Sequence, residues 1–247
     1  MPFLRGWAHL PAQDRGETAG FVVLTNDRWN HTMSSVGVVP IRSRVMPFDL
    51  PFSVPLPNGD AVVASRLVSL DERDPKRSLL GPANGSLDPA LLAAVEDKLR
   101  DFLQLPQLVK QSPQVLRPLG NASAYAVWGQ IYLAGPRIEE ERKRRIVVSP
   151  SSWNAVSDLA TLVRTTTSFD RYGPEFPKIQ GGSVRACCGD ATTMQLHSVM
   201  LNPRDRPVPS TSIMTDMQAI ARGLTVAYGL EASLRRVGGE VAPPDRA

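Results

Sequence analysis

Arg142-Lys-Arg-Arg-Ile-Val-Val-Ser-Pro-Ser-Ser-Trp-Asn154 opens on a basic cluster, runs into an apolar β-prone segment and ends on a Trp-Asn pair. Gly20-Phe-Val-Val-Leu-Thr-Asn-Asp-Arg-Trp-Asn30 has the same design with the leading cations missing. Trp29-Asn30 and Trp153-Asn154 stand 124 positions apart, and Glu17/Glu141 and Phe52/Phe176 keep that offset. Gly6 and Gly129 are 123 apart, Leu105 and Leu230 are 125 apart. A drift of two over a hundred residues reads as a duplication: one small fold of roughly 105 residues, present twice. Such a tandem pair reproduces the geometry of a symmetric homodimer, with one isologous interface and a site along it.

Length and composition agree with two small units. The 247 residues are 42% hydrophobic and 21% charged, enough apolar material for real cores. The net charge of +4 permits a polyanionic partner without demanding one. Residues 1–120 hold 13 Lys/Arg against 12 Asp/Glu, and residues 121–247 hold 15 against 12, so the excess of cations is in the second half. The only cysteines, Cys187 and Cys188, are adjacent, so no disulfide framework is implied. With no apolar run near 20 residues and no signal-peptide core behind Met1, the expectation is a soluble, cytoplasmic protein without membrane contact.

The pattern predicts strands at 7–10, 21–25, 36–41 and 61–70, and a loop at 71–85. Asp88-Pro89 then caps a helix, with Leu91, Leu92, Val95, Leu99, Phe102 and Leu103 at 3/4 spacing until Pro106. Residues 106–123, with three prolines, read as a linker. The order then repeats: strands at 127–133, 146–149, 159–163 and 183–194, a charged loop at 135–145, and a helix within 212–230. The expected organisation is therefore a first repeat at 1–105, a linker at 106–123, a second repeat at 124–230 and a tail at 231–247.

Each half resembles the MazF/PemK (Kid) toxin family. Arg5-Gly6-Trp7 is similar to the family's opening strand. Gly16-Glu17 through Trp29-Asn30 is similar to its second-strand segment, and Ala61–Leu105 to its third-strand block and terminal helix. The second half fits more loosely from Val127 to Leu230. The resemblance implies an α+β, mainly β fold: two tandem SH3-like small β-barrels, each with a C-terminal helix, forming an intramolecular pseudo-dimer. It also implies the toxin of a type II toxin–antitoxin system, an endoribonuclease that cuts single-stranded RNA without cofactor or metal. In that chemistry the 2′-hydroxyl attacks the adjacent phosphorus, leaving a 2′,3′-cyclic phosphate and a 5′-hydroxyl. The implied partners are single-stranded RNA and a short acidic antitoxin.

The family's phosphate-binding Arg falls on Ala19 in the first half and its Thr-Ser on Arg42-Ser43, so that copy reads as degenerate. In the second half the same places fall on Lys143-Arg144-Arg145 and Thr166-Thr167-Ser168. A guanidinium is always charged and binds two phosphoryl oxygens at once, and hydroxyls donate to the same group. Arg185, in Arg185-Ala-Cys-Cys-Gly-Asp190, echoes the Kid Arg-Cys-Asp arrangement at the wrong spacing. The expected catalytic set is Arg144, Thr166, Thr167 and Arg185, with Lys143, Arg145 and Ser168 binding RNA. The bland alternatives are a solvated loop neutralised by Glu139-Glu140-Glu141 and ordinary strand threonines. Two other functions stay open: a catalytically inactive RNA- or peptide-binding module, and a CcdB-like gyrase inhibitor. No P-loop, dinucleotide fingerprint or nucleophile elbow is present.

Overall fold

A computed structural model describes residues 3–12, 16–33, 35–71, 80–105, 128–129, 131–134, 143–168, 173–179, 182, 184–195 and 213–230. The fold is α+β and mainly β. Strands β1 (Trp7–Pro11), β2 (Thr18–Val23), β3 (Ser35–Arg42), β4 (Ser53–Pro55), β5 (Ala61–Val63), β6 (Val68–Asp71) and β7 (Leu80–Ser86) form a seven-stranded sheet. Its order is β4-β5-β3-β2-β1-β7, with β6 also on β3. Strands β8 (Ile131–Ala134), β9 (Lys143–Val147), β10 (Leu159–Thr166), β11 (Lys178–Ile179) and β12 (Val184–Gln195) form a second sheet, ordered β11-β12-β10-β9-β8. The helices are α1 (Asp27–Thr32), α2 (Pro89–Phe102), α3 (Ser151–Ser157) and α4 (Ile213–Ala227).

Neither sheet closes on itself among the described residues, so the expected barrels appear as open sheets. The linker at 106–123 and the tail at 231–247 lie outside the described residues. So do 135–142 of the expected charged loop, whose last residues, Lys143–Arg145, belong to β9. The loop expected up to Gly85 instead contains β7, because an edge strand has no second neighbour to lose when a proline or glycine interrupts it. The run 61–70 is two strands rather than one. At the break, Ala64 N–H donates to Phe52 O (2.9 Å) and Arg66 N–H to Val63 O (3.2 Å).

Strand register recurs at an offset of 124. Phe21 faces Pro40 as Arg145 faces Arg164, and Val22 faces Val39 as Ile146 faces Val163. Ile41 faces Val62 as Thr165 faces Ala186, and Val38 faces Val68 as Leu162 faces Thr192. β12 thus runs through in one piece where the first sheet has β5 and β6, with a register shift at the place where those two are separated.

Two short helices recur as well. Thr25 Oγ1 donates to Asn30 Oδ1 (2.6 Å) and Ser149 Oγ to Asn154 Oδ1 (2.5 Å). Gly37 N–H donates to Thr25 Oγ1 (2.9 Å) and Thr161 N–H to Ser149 Oγ (2.9 Å). Each hydroxyl therefore joins a strand end to the Asn that follows a buried Trp, Trp29 on α1 and Trp153 on α3. That pairing gives the Trp-Asn motif its physical reason: the Trp fills the core and the Asn satisfies the turn behind it.

Contacts between the two sheets involve equivalent segments. Thr193 N–H donates to Leu67 O (2.7 Å) and Ser69 N–H to Thr192 Oγ1 (3.2 Å), so residues 67–69 meet 192–193. Trp29 stacks on Phe176 (centroids 5.1 Å), and Trp153 meets Phe102 edge-on (4.9 Å). Asn26, which caps α1 through Trp29 N–H (2.7 Å), donates its side-chain amide to Val226 O at the end of α4 (2.6 Å). One buried cluster takes in Val22, Leu24, Trp29, Phe102, Trp153, Phe176 and Tyr228 together.

Gly189 has no room for a side chain, since a Cβ there would lie 2.3–2.6 Å from the Trp29 indole. Gly189→Ala should therefore destabilise the protein by about 2–3 kcal/mol or more through overpacking. A denaturant midpoint equal to that of the parent chain would refute this placement of Trp29.

Candidate functional site

Cross-strand pairs share a face, and strand alternation decides which cations can act together. Arg145 on β9 faces Arg164 on β10, and Arg164 faces Cys187 on β12. Two residues further along β10, Thr166 faces Arg185, which faces Lys178 on β11. Arg145, Arg164, Thr166, Arg185 and Lys178 therefore occupy one face. Arg144 and Thr165 occupy the other, where Thr165 Oγ1 donates to Arg144 O (2.9 Å).

This alternation divides the residues proposed from sequence. Arg144 is exposed and lies across the sheet from Thr166. Thr166 is half-buried at the end of β10, and its hydroxyl accepts from Ser168 N–H (3.1 Å). Thr167 is exposed and Ser168 half-buried, both past the strand end. Lys143 takes the first position of β9, paired with Ala134. Arg185 is buried and donates to Phe176 O (3.0 Å), which ties its guanidinium to the loop before β11.

The residues missed from sequence form a polar group that joins the two sheets. Asp190, 5% exposed, accepts from the Ser35 and Ser69 hydroxyls on one oxygen, the latter at 3.0 Å. Its other oxygen meets Arg164 at 2.6 Å. The four side chains come from β3, β6, β10 and β12, two from each sheet. Of these four, the sequence pattern marks only Asp190, at the end of an echoed motif with the wrong spacing. Arg164 carried its own signal, a cation inside the β-run Leu159–Thr166 where a charge needs a counter-charge.

The electrostatics follow from two guanidiniums facing one carboxylate. Burial, reinforced by the neighbouring Arg164 and partly offset by Asp190, lowers the Arg145 pKa. Burial also works against charged Arg164, but Asp190 and Cys187 outweigh it and raise that pKa. Both groups stay cationic near neutrality, leaving the cluster with one positive charge in excess. Cys188, with its thiol at 3.6 Å from Ile220 O, is fully buried, and burial, Cys187 and nearby carboxylates hold its pKa well above the usual range. It serves the core rather than the surface.

The equivalent cross-strand pair of the first sheet is apolar. Phe21 and Pro40 stand where the second sheet has Arg145 and Arg164, and Phe21 belongs to a buried cluster with Val23, Val36, Val38, Leu70 and Leu80. The backbone ladder is the same, but at this pair only the second sheet has cations; the first sheet has Arg42, paired with Glu17 at 2.9 Å, where the second has Thr166.

Residues 7–103 match the PemK-like, MazF-like toxin of type II toxin–antitoxin systems. The match covers the seven-stranded sheet and α2 and ends before the cationic face. No curated protein matches the chain. Among solved structures, an endoribonuclease from Mycobacterial species is 18% identical over 41% of this chain and 90% of that one, with a TM-score of 0.33. An endoribonuclease in complex with its cognate antitoxin, also from Mycobacterial species, is 19% identical over 40% and 89%, with a TM-score of 0.32. MazE-MazF from Deinococcus radiodurans is 24% identical over 41% and 95%, with a TM-score of 0.33. No described helix is long and apolar enough to cross a membrane.

Asp190→Ala would leave Arg164 and Arg145 facing each other without a counter-charge. Breaking a buried pair by removing one partner costs about 3–5 kcal/mol, and the 30% exposure of the Arg164 side chain reduces that to about 2–3 kcal/mol. Arg164→Met combined with Asp190→Ala should recover part of the loss. Additive effects in this double-mutant cycle would show that the two residues are not coupled.

Proposed function

We propose that the chain is a tandem toxin of the MazF/PemK type, a single-chain pseudo-dimer that cuts single-stranded RNA from the cationic face of its second half. The repeats on this reading are 1–105 and 124–230, joined at 106–123. The observation that carries it is the shared register. Residues 7–103 match the toxin family, the ladders at 143–195 follow the same pairings 124 positions on, and the later set has two guanidiniums, Arg145 and Arg164, where the earlier has Phe21 and Pro40.

Of the residues singled out from sequence, strand alternation puts Arg145, Thr166 and Arg185 on one face, and Arg185 is already tied to Phe176 O. In the proposed reaction the 2′-hydroxyl oxygen bonds to phosphorus and the bond to the 5′-oxygen breaks. The 2′-proton is lost to a base, and the leaving oxygen takes up a proton. Arg145 and Thr166 hold the phosphoryl oxygens while charge builds on them. Arg144, Thr167 and Ser168 lie at the same strand ends and would bind the flanking backbone, with Lys143. Arg185, fixed to Phe176 O, would contribute its charge to the face. A short acidic antitoxin would compete for the same cations.

A second reading has its own support. Ala19, Phe21 and Pro40 occupy the phosphate-facing positions of the very half that matches the family, so the chain could bind RNA without cutting it.

Purified protein incubated with a long single-stranded RNA in EDTA should generate new 5′-hydroxyl ends. Arg145→Ala with Thr166→Ala should lower the rate on the order of 10²-fold or more, and Arg144→Ala with Thr167→Ala by less. Salt-sensitive binding with no new ends would favour the binding module instead. Cleavage indifferent to both double variants would remove the assignment of the face.

A further inference from the structure

We infer that Arg164, held by Asp190 and facing Arg145, forms with that residue a receptor for one phosphodiester oxyanion between the two sheets. The inference deepens the nucleic-acid reading above and rests on it for the identity of the ligand. Its geometry stands separately.

Like charges placed directly opposite on neighbouring strands destabilise a sheet, and here two guanidiniums take those positions. Their shared carboxylate is already engaged. Asp190 has one oxygen held by the Ser35 and Ser69 hydroxyls and the other by Arg164, so its charge is fixed in place and cannot swing to serve Arg145. The Arg145 guanidinium has no hydrogen bond to another described residue, and the buried Nε of both arginines has no hydrogen-bond partner. The cluster therefore has one unbalanced cation and unused donors. A phosphodiester supplies what is missing, a single negative charge spread over two oxygens that a guanidinium fork matches.

The arrangement also explains the serines. Ser35 and Ser69 come from the first sheet, yet they fix the carboxylate that orients an arginine of the second. They act as positioning residues, and through them the first half shapes a site whose arginine pair it lacks. The same positions 124 residues on are Leu159 and Thr193, so the arrangement is not repeated on the other side.

The test uses the full chain with two probes: inorganic phosphate, followed by the arginine Nε–H resonances, and a 2′-O-methyl oligoribonucleotide, which cannot be cut by its own 2′-oxygen. Phosphate should shift the Arg145 and Arg164 signals saturably. Arg164→Gln should weaken oligonucleotide binding about tenfold and lower the salt slope by about one. Arg145→Gln serves as the variant certain to probe function apart from folding. Relief of repulsion should raise its Tm while its affinity falls, whereas a purely structural arginine would lower Tm and leave affinity alone. Ser35→Ala with Ser69→Ala should weaken binding, and Thr substituted at both positions should restore part of it. Shifts that saturate in a protein that leaves long RNA intact would keep the receptor and remove the nuclease. RNA cleavage unchanged in Arg164→Gln, with no phosphate shift, would overturn the receptor and leave the nuclease standing.

Discussion

The Trp29 indole lies where any side chain on Gly189 would have to be, and stacks on Phe176 from the same half as that glycine. This contact is the constraint on which the arrangement depends. The larger buried cluster draws on both sheets, and each half sends the tryptophan of its Trp-Asn pair into the other's aromatic residues. Burying two indoles in this reciprocal way removes some of the largest apolar surfaces in the chain from water. It also fixes the two sheets against each other closely enough for hydroxyls of one to hold a carboxylate of the other.

That reciprocity was partly legible in the amino-acid sequence. The Trp-Asn pairs could be read because each does two jobs that no common substitute does: the indole fills a core position, and the amide accepts the Thr25 or Ser149 hydroxyl behind it. The helices containing them were not legible. At six and seven residues they are too short to establish a 3.6-residue period, and tertiary packing rather than propensity holds them. α2 was legible because its 14 residues present a cap, a first-turn proline and a full apolar stripe. β7 was hidden for the opposite reason, since Gly81, Pro82 and Gly85 speak against a strand everywhere except at an edge.

The site was less legible than the fold. The basic run at 142–145 is conspicuous as composition, but composition has no faces. Only the pairing of β9 with β10 separates Arg145 from Arg144, and only that pairing brings in Arg164 from a segment that otherwise reads as ordinary strand. Asp190 belonged to a motif with the wrong spacing. Its importance comes from the register shift after Val163, which carries Cys188–Asp190 out of the ladder and lets the carboxylate reach Ser35 and Ser69. Long-range hydrogen bonds of this sort, between residues 155 and 121 positions apart, leave no local signature.

The two sheets also show how one ladder can be used in two ways. At the paired positions of the first sheet, Phe21 joins an apolar cluster, and the face contributes to stability. At the paired positions of the second, Arg145 and Arg164 repel each other and must be held by a buried carboxylate that itself needs two hydroxyls. Selection for stability alone would favour the first solution in both places, because replacing buried ionic groups by well-packed apolar ones is commonly neutral or stabilising. Backbone and register do not require the cations, as the first sheet demonstrates. What the cations add is an unbalanced positive charge at a fixed place between the sheets, the feature on which the proposed phosphodiester site rests.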